Sequence, residues 1–403
     1  LMKSIPLPPG IRDYTAEIVR KFDYINEIFF QETESWGFNK IYTPIIENIE
    51  SLTSDSAESD SKNILKLIDP LSGEILGIKS DITPQIARFV NSNYSLSNLP
   101  IRLSYAERVV RNKINKNSDS REFFQLGCES IGTEGILNDI EIIQLASSLI
   151  KKMGFSNQVI TLSSSLIVNF ILSKLKKSNE KIRDLFYKKN FSEIFKISND
   201  VSVPKKERNF IKSIVIPFTK NKIPKDSYLP SNISKEIENL KIISGELIKI
   251  NPETKCIIDF LDVKDFQYYS NITFEINVPK IKSTLLNGGR YNNLFNKYGS
   301  SIPAIGFGLN LLTLVKHIKV DDLARPTALI IIDSNASISE SFQIRDFLVN
   351  QGFITRFSNK KLPNNFQQII VKISKSKEIN LYDSKMKKLA KFKSFKEFIE
   401  EEI

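Results

Sequence analysis

The stretch RLSYAERVVRNKINKNSDSREFFQLGCESIG, residues 102–132, decides the fold. Its two ends alternate in polarity with a period of two, which predicts strands over RLSYAERVVRN and SREFFQLGCESIG. The polar segment KINKNSD between them predicts a flexible hairpin loop. Because side chains alternate along an extended chain, Phe123, Gln125, Gly127 and Glu129 share one face, and Gly127 leaves space between two polar groups.

Helices and strands are predicted on both sides of this hairpin. Apolar residues at helical spacing over 16–37 predict a long amphipathic helix that leads into the strand KIYTPIIE. The segment GEILGIKSDITPQIARFV, residues 73–90, predicts a strand, a polar turn and a helix with Thr83 as N-cap and Pro84 in its first turn. After the hairpin, DIEIIQLASSLIKKMGF predicts a helix that Gly154 ends.

Strand patterns return in the second half of the core. They lie in KCIIDFLDV at 255–263 and in FQYYSNITFEINV at 266–278, whereas IGFGLNLLTLVKHI at 305–318 predicts an apolar helix. Tyr268 and Tyr269 alternate within the second of these strands, so one of them is expected to pack in the core.

These patterns divide the chain into three parts. The core is expected over residues 1–163 and 253–322, interrupted by a Lys-rich helical insertion over 164–252. Near Arg325 the pattern changes to a compact strand, helix, strand unit, which predicts a small α/β domain over 323–403.

Composition excludes several classes of protein. The 403 residues are 41% apolar and 26% charged, which is typical of globular domains, and no apolar run is long enough for a membrane span. A cytoplasmic location is therefore expected. Two cysteines, Cys128 and Cys256, and one histidine, His317, make a disulfide framework or a metal site improbable. The net charge of +11 alone would suggest a polyanionic partner, but the excess of lysine fits general compositional drift better.

Five separated segments resemble the catalytic core of histidyl-tRNA synthetase and of its paralogue, the regulatory subunit of ATP phosphoribosyltransferase. The hairpin at 102–132 is similar to motif 2 of class II synthetases. The others are PPGIRDY at 8–14, GFNKIYTPIIE at 37–47, IKSDITPQIARF at 78–89, and FQYYSNITFE with GGRYNNLFNKYGSSIPAIGFG at 266–308.

The resemblance implies an α+β fold of the class II aminoacyl-tRNA synthetase type. It implies an antiparallel sheet of six or seven strands with flanking helices, dimerisation through the segment at 37–47, and a helical insertion. The C-terminal unit resembles an anticodon-binding α/β module that is shortened in its middle.

The resemblance also implies that the adenylation machinery is lost. Arg111 stands at the arginine of motif 2 and is retained. Lys113 replaces a glutamate that faces the adenine, Lys264 in KDFQYY replaces a catalytic arginine, and Thr313 replaces the arginine of motif 3. Lysine keeps the charge of arginine but loses its planar fork of donors.

The amino acid side of the implied pocket is kept. The sequence DITPQ resembles the regulatory subunits rather than the synthetases. Asp81, Thr83 and Gln125 could hold the ammonium of an amino acid. Glu129 and Tyr269 could accept hydrogen bonds from an imidazole, and Arg111 could hold the carboxylate.

The resemblance therefore implies a regulatory subunit without catalytic residues, cofactor or metal, acting in the first step of histidine biosynthesis. Its expected partners are a short-form ATP phosphoribosyltransferase chain, a second copy of itself within a hetero-oligomer, and L-histidine as effector, without specific tRNA binding. An active histidine-tRNA ligase and a tRNA-binding or amino-acid-sensing paralogue remain alternatives.

Overall fold

The computed structural model divides the chain into two compact units, residues 1–318 and 319–403. Among the residues it describes, no helix combines the length and apolarity that a membrane crossing requires. The described residues are 5–53, 62–115, 120–175, 179–199, 204–215, 229–264, 268–279, 281, 284–318, 326–332, 337–358, 369–374 and 378–400.

An eight-stranded sheet forms the centre of the first unit, in the order β1-β5-β6-β11-β10-β9-β7-β8. The strands are β1 (Asn39–Lys40), β5 (Ile101–Asn115), β6 (Ser120–Ile131), β7 (Val159–Ser164), β8 (Lys255–Ile258), β9 (Ile272–Asn277), β10 (Leu286–Arg290) and β11 (Ala304–Asn310). The six inner strands are antiparallel, as predicted, whereas the edge strands β1 and β8 pair in parallel with β5 and β7. The total is therefore eight rather than six or seven.

The hairpin of β5 and β6 is longer than predicted. Residues 113–115 of KINKNSD continue β5, and the remainder of that segment lies outside the described residues. The pairing places Tyr105 opposite Gly127 and Leu103 opposite Glu129. The hairpin therefore sets the register of the polar face.

One predicted helix is wrong over most of its length. Residues Ala304–Asn310 form strand β11, and only Leu311–Val315 are helical, as α10. The backbone of β11 is paired on both sides, with β6 and with β10, and Gly306 and Gly308 are poor helix formers. Sheet pairing, which the apolar pattern does not reveal, decides this segment.

Helices cover one face of this sheet. Among them are α1 (Ala16–Ser35), which packs on α4 (Ile136–Lys152), while α4 contacts β11 and β9. Gly154 follows α4 with a φ of +90°, as expected of a residue that ends a helix. The apolar residues of α4, including Ile142 and Leu145, are fully buried in the core.

A small sheet precedes the hairpin and leads into the site. Its strands β2 (Ile46–Asn48), β3 (Leu65–Ile68) and β4 (Ile75–Ile78) pair in the order β2-β4-β3, next to the short helix α2 (Ile49–Leu52). Helix α3 (Thr83–Asn93) follows β4 with Pro84 in its first turn. Thr83 is the first helical residue and Ile82 occupies the cap, so the predicted capping role of Thr83 is wrong.

The described residues between β7 and β8 contain helices and no strand. They form α5 (Ser165–Lys174), α6 (Asn179–Tyr187), α7 (Phe191–Ser198), α8 (Lys205–Val215) and α9 (Ser231–Ile250). The helix α9 buries Ile237, Leu240 and Ile243 along one side. The domain boundaries that the sequence suggests remain a prediction.

The second unit has its own five-stranded sheet and core. Strands β12 (Thr327–Ile332), β13 (Ile354–Ser358), β14 (Ile369–Ile373), β15 (Ile379–Asp383) and β16 (Lys388–Phe392) pair in the order β13-β12-β14-β15-β16, with helices α11 (Ile338–Asn350) and α12 (Phe395–Ile399). The predicted strand, helix, strand unit is present as β12, α11 and β13. The middle that looks shortened in sequence, residues 359–368, lies outside the described residues.

Candidate functional site

Glycines line one face of the central sheet. This face, called the front face here, carries Gln125, Gly127 and Glu129 of β6, as the period of two predicts. In the antiparallel pairing with β11, Gly308 lies opposite Gly127 and Gly306 lies opposite Glu129. Long side chains can therefore lie across the sheet at this point.

The glycines are required by close approach rather than by unusual backbone angles. A Cβ atom on Gly306 would overlap the carboxylate of Glu129, and one on Gly127 would overlap the ring and hydroxyl of Tyr105. Each glycine thus makes room for a polar side chain that comes from the neighbouring strand.

The carboxylate of Glu129 is only 1% exposed and accepts three hydroxyl hydrogen bonds. Thr83 and Tyr105 each donate to Oε1 at 3.0 Å, and Tyr291 donates to Oε2 at 2.7 Å. Burial raises the pKa of Glu129 to about 8, against the opposing effect of the hydroxyl donors. Removing this carboxylate from water is therefore only partly offset by its neutral partners.

Asp81 forms the second buried acidic group of the front face. Its Oδ1 accepts bonds from Gln125 Nε2 at 2.7 Å and from the backbone N–H of Ile82 at 3.0 Å, while Tyr268 donates to Oδ2 at 2.9 Å. Burial raises the pKa of Asp81, although the bond from Gln125 and the charge of Arg111 act in the opposite direction.

Within the described part of the chain, two buried polar atoms on this face lack a hydrogen-bond partner. They are Oε1 of Gln125 and Oγ1 of Thr273, a residue that pairs with Gly289 of β10. Buried polar atoms are usually bonded to protein or water. An ammonium or another N–H donor would satisfy Gln125, beside the carboxylate of Asp81.

Arg111 lies at the end of the pocket next to Asp81. Its Nε donates to the backbone oxygen of Ser80 at 3.1 Å, and its guanidinium lies 4.5 Å from the centre of the Phe123 ring. Stacking on an aromatic ring fixes the plane of the guanidinium. The side chain is therefore oriented close to Asp81.

One of the two adjacent tyrosines, Tyr268, is buried in the core as predicted, but neither lies in the predicted strand. Both precede β9, which begins at Ile272, so they do not alternate within a strand. Tyr268, expected as a packing candidate, bonds to Asp81. The ring centres of Tyr269 and Tyr268 lie 4.9 Å apart with their planes tilted by 54°, and the Tyr269 ring lies against Gly289, where a Cβ atom would come within 2.9 Å of Tyr269 Cδ1.

The structure brings together all six residues proposed for the pocket and adds, besides the hydroxyl of Tyr268, two hydroxyls that the sequence analysis missed. These are Tyr105 and Tyr291, both fully buried against Glu129. Tyr105 could have been found from the hairpin pairing, because a residue opposite Gly127 lies on the same face of the sheet. Tyr291 follows the glycines of GGRYNNL, but no sequence pattern reveals which way its hydroxyl points.

The three substituted positions differ in their surroundings. Lys264 is 6% exposed and forms ion pairs with Asp262 and Glu275. Thr313 lies half-buried in α10, and the side chain of Lys113 lies outside the described residues. Two carboxylates thus neutralise Lys264, at the position where the resembling synthetases carry an arginine. Within the described part of the chain, no group of His, Cys, Asp and Glu residues is arranged to hold a metal ion.

Known proteins resemble this chain over most of its length. The regulatory subunit of ATP phosphoribosyltransferase from Geobacter metallireducens is 26% identical, over 87% of this chain and 83% of its own length. The histidine-tRNA ligase of Metallosphaera sedula is 27% identical, over 88% of this chain and 85% of its own length.

A solved structure shows the same fold. The Bacillus halodurans protein described as an ATP phosphoribosyltransferase regulatory subunit/histidyl-tRNA synthetase superposes with a TM-score of 0.74 at 22% identity, over 88% of this chain and 94% of that one. The family model of histidyl-tRNA synthetase matches residues 10–314. The chain therefore belongs to the histidyl-tRNA synthetase family and has its α+β, class II synthetase-like fold.

Proposed function

We propose that this chain is the regulatory subunit of a short-form ATP phosphoribosyltransferase, which acts at the first step of histidine biosynthesis. The curated relatives from Geobacter metallireducens and Halothermothrix orenii carry that name, and each aligns over three quarters or more of this chain. The observation that carries the proposal is the cluster of buried polar side chains on the front face, together with Lys264 held between two carboxylates.

The front-face pocket is proposed to bind L-histidine. Asp81, Thr83 and Gln125 would hold the α-ammonium, supported by the buried carboxylate of Asp81 and the unpartnered Oε1 of Gln125. A cationic group compensates two buried carboxylates better than neutral hydroxyls do. The carboxylate of the ligand would lie against Arg111.

The imidazole of histidine is proposed to face Glu129 and Tyr269. An imidazole carries N–H donors, and the carboxylate of Glu129 is held in place by three hydroxyls from different elements. A carboxylate oriented in this way favours a ring with an N–H group over an apolar ring of the same size.

Catalysis is proposed to belong to the partner chain. Charge at the α-phosphate of ATP needs forked donors, and Lys264 offers a single ammonium that Asp262 and Glu275 already neutralise. We propose a self-dimer within a hetero-oligomer, with histidine as the feedback effector. Binding of tRNA is expected to be weak and to fall steeply with salt.

Assembly with the partner tests this proposal. The chain, mixed with a short phosphoribosyltransferase chain, should elute with it as one complex in size-exclusion chromatography. Separate elution at micromolar concentrations of both chains would count against the proposal.

An active histidine-tRNA ligase is the second candidate. It is favoured by the relative from Metallosphaera sedula, which bears that name and aligns over 88% of this chain. A ligase would exchange pyrophosphate with ATP in the presence of histidine, whereas a regulatory subunit would not.

A further inference from the structure

A second cavity lies on the opposite face of the central sheet. This cavity, called the back cavity here, has a volume of about 440 Å³ and lies between α4, α9 and the ends of β9 and β10. Arg290 and Ile272 line it, and both neighbour front-face residues, so their side chains point away from the histidine pocket. The volume is within the range of small-molecule sites.

An acidic side chain of α9 lines the back cavity without a basic partner. Glu236 is 7% exposed, and its Oε1 accepts a bond from Ser164 Oγ at 2.8 Å. In the part of the chain that the structure describes, no Lys or Arg side chain lies within ion-pair distance of Glu236. A buried carboxylate that lacks a counter-ion is costly, because a neutral hydroxyl replaces only part of its hydration.

Among the described residues that line the cavity, Arg290 is the buried cation, and it already has partners. Arg290 Nε lies 2.6 Å from Asp139 Oδ1, an ion pair that is not aligned as a hydrogen bond. The remaining nitrogens of Arg290 donate to the backbone oxygens of Thr133 and Gly135 at 3.3 and 3.2 Å. Arg290 thus balances Asp139 and leaves Glu236 uncompensated.

The other ionisable groups do not supply the missing charge. Burial raises the pKa of Asp139 to about 6, and the negative charge of Glu236 acts in the same direction. Lys235 and Glu134 line the mouth of the cavity, but both are exposed and carry opposite charges. The buried ionisable side chains among the described lining residues are therefore two carboxyl groups, Asp139 and Glu236, and one guanidinium, Arg290.

Apolar side chains complete the wall around these groups. They are Ile136, Leu240, Ile243 and Ile272, and the amide side chains of Asn239 and Asn271 lie among them. Such a lining matches a ligand with an apolar body and one cationic end.

We propose that the back cavity binds a small organic cation, whose ammonium or amidinium group pairs with Glu236 while its apolar body packs between α4 and α9. The site is separate from the histidine pocket, since the sheet lies between them. It does not depend on the regulatory function proposed above.

Calorimetric titration of the full chain with benzamidinium tests this site, with neutral benzamide and anionic benzoate as matched probes. Saturable binding of benzamidinium is expected, with benzamide and benzoate at least tenfold weaker. Because the front face is also acidic, Asp81→Asn is included and should leave benzamidinium binding unchanged.

Three variants locate the binding. Glu236→Gln keeps the shape of the side chain and the oxygen that accepts from Ser164. It should weaken the binding of benzamidinium by about tenfold or more, which is the effect expected from the loss of a charged hydrogen bond. Glu238→Gln on the same helix removes the same charge from an exposed position and should have no effect. Asn239→Phe, which fills the cavity without changing its charge, should also abolish binding.

Several results would overturn the proposal. They are the absence of saturable benzamidinium binding at millimolar concentration, equal affinity for benzamide, or equal losses in Glu238→Gln and Glu236→Gln. If Glu236→Gln fails to fold, binding that survives Asn239→Phe would overturn it instead.

Discussion

The carboxylate of Glu129 lies directly over the backbone of Gly306, in the space that any side chain at position 306 would occupy. This relationship joins β6 to β11 at the centre of the front face, because the two residues are also paired in the sheet. A residue outside the polar cluster thus determines whether the cluster can form.

Gly306→Ala is therefore expected to displace Glu129, lower the free energy of unfolding by about 1–3 kcal/mol and abolish histidine binding. Gly245→Ala is the matched control, since Gly245 lies within α9 and a Cβ atom there would meet nothing within 4 Å. This control should be stabilised by about 0.5–1 kcal/mol. Denaturant unfolding measures the stability of the two variants, and titration with histidine measures their affinity. Unchanged stability and affinity in Gly306→Ala would contradict the close approach of Glu129 to Gly306.

Above about pH 8, where Glu129 is ionised, Glu129→Ala should weaken histidine binding by about tenfold or more, because it removes a charge-assisted bond worth about 1.5–3 kcal/mol. Glu122→Ala on the same strand is the control, because its side chain points to the other face and pairs with the exposed Arg108. Calorimetry with histidine compares the two. Equal affinities would mean that the pocket does not bind the effector.

The stability of the protein should depend on the ionisation of Glu129. Because burial raises its pKa to about 8, the folded chain retains a proton that the unfolded chain has released above about pH 5. Stability should therefore fall between about pH 5 and pH 8, by at most about 1.4 kcal/mol per pH unit from this group. Glu129→Gln should show a shallower slope in thermal unfolding over that range, and parallel slopes would contradict the raised pKa.

The alternation of β6 was sufficient to predict which of its residues share a face, because a strand has a fixed period. The helix predicted over 305–318 was wrong over most of its length, since one of the two strands that pair with Gly306 and Gly308, β6, is distant in sequence. The same limit applies to Tyr268 and Tyr291, which reach Asp81 and Glu129 across more than 150 residues. Hydroxyl direction depends on tertiary packing, so residue type alone does not assign these partners.

Adenylation should be absent, and Lys264→Arg alone should not restore it. Asp262 and Glu275 would pair with the new guanidinium as they pair with the lysine, so these two carboxylates would already compensate its charge. The measurement is histidine-dependent exchange of pyrophosphate with ATP, compared with a reaction without protein. Exchange above that background in the unmodified chain would favour the ligase alternative.

Phosphoribosyl transfer by a short catalytic chain, measured with and without this protein, tests the central claim most directly. The account predicts that activity rises when the protein is added, that histidine then inhibits it, and that Glu129→Ala weakens inhibition without preventing assembly. Transfer that is unaffected by the protein, together with histidine-dependent pyrophosphate exchange, would contradict the account.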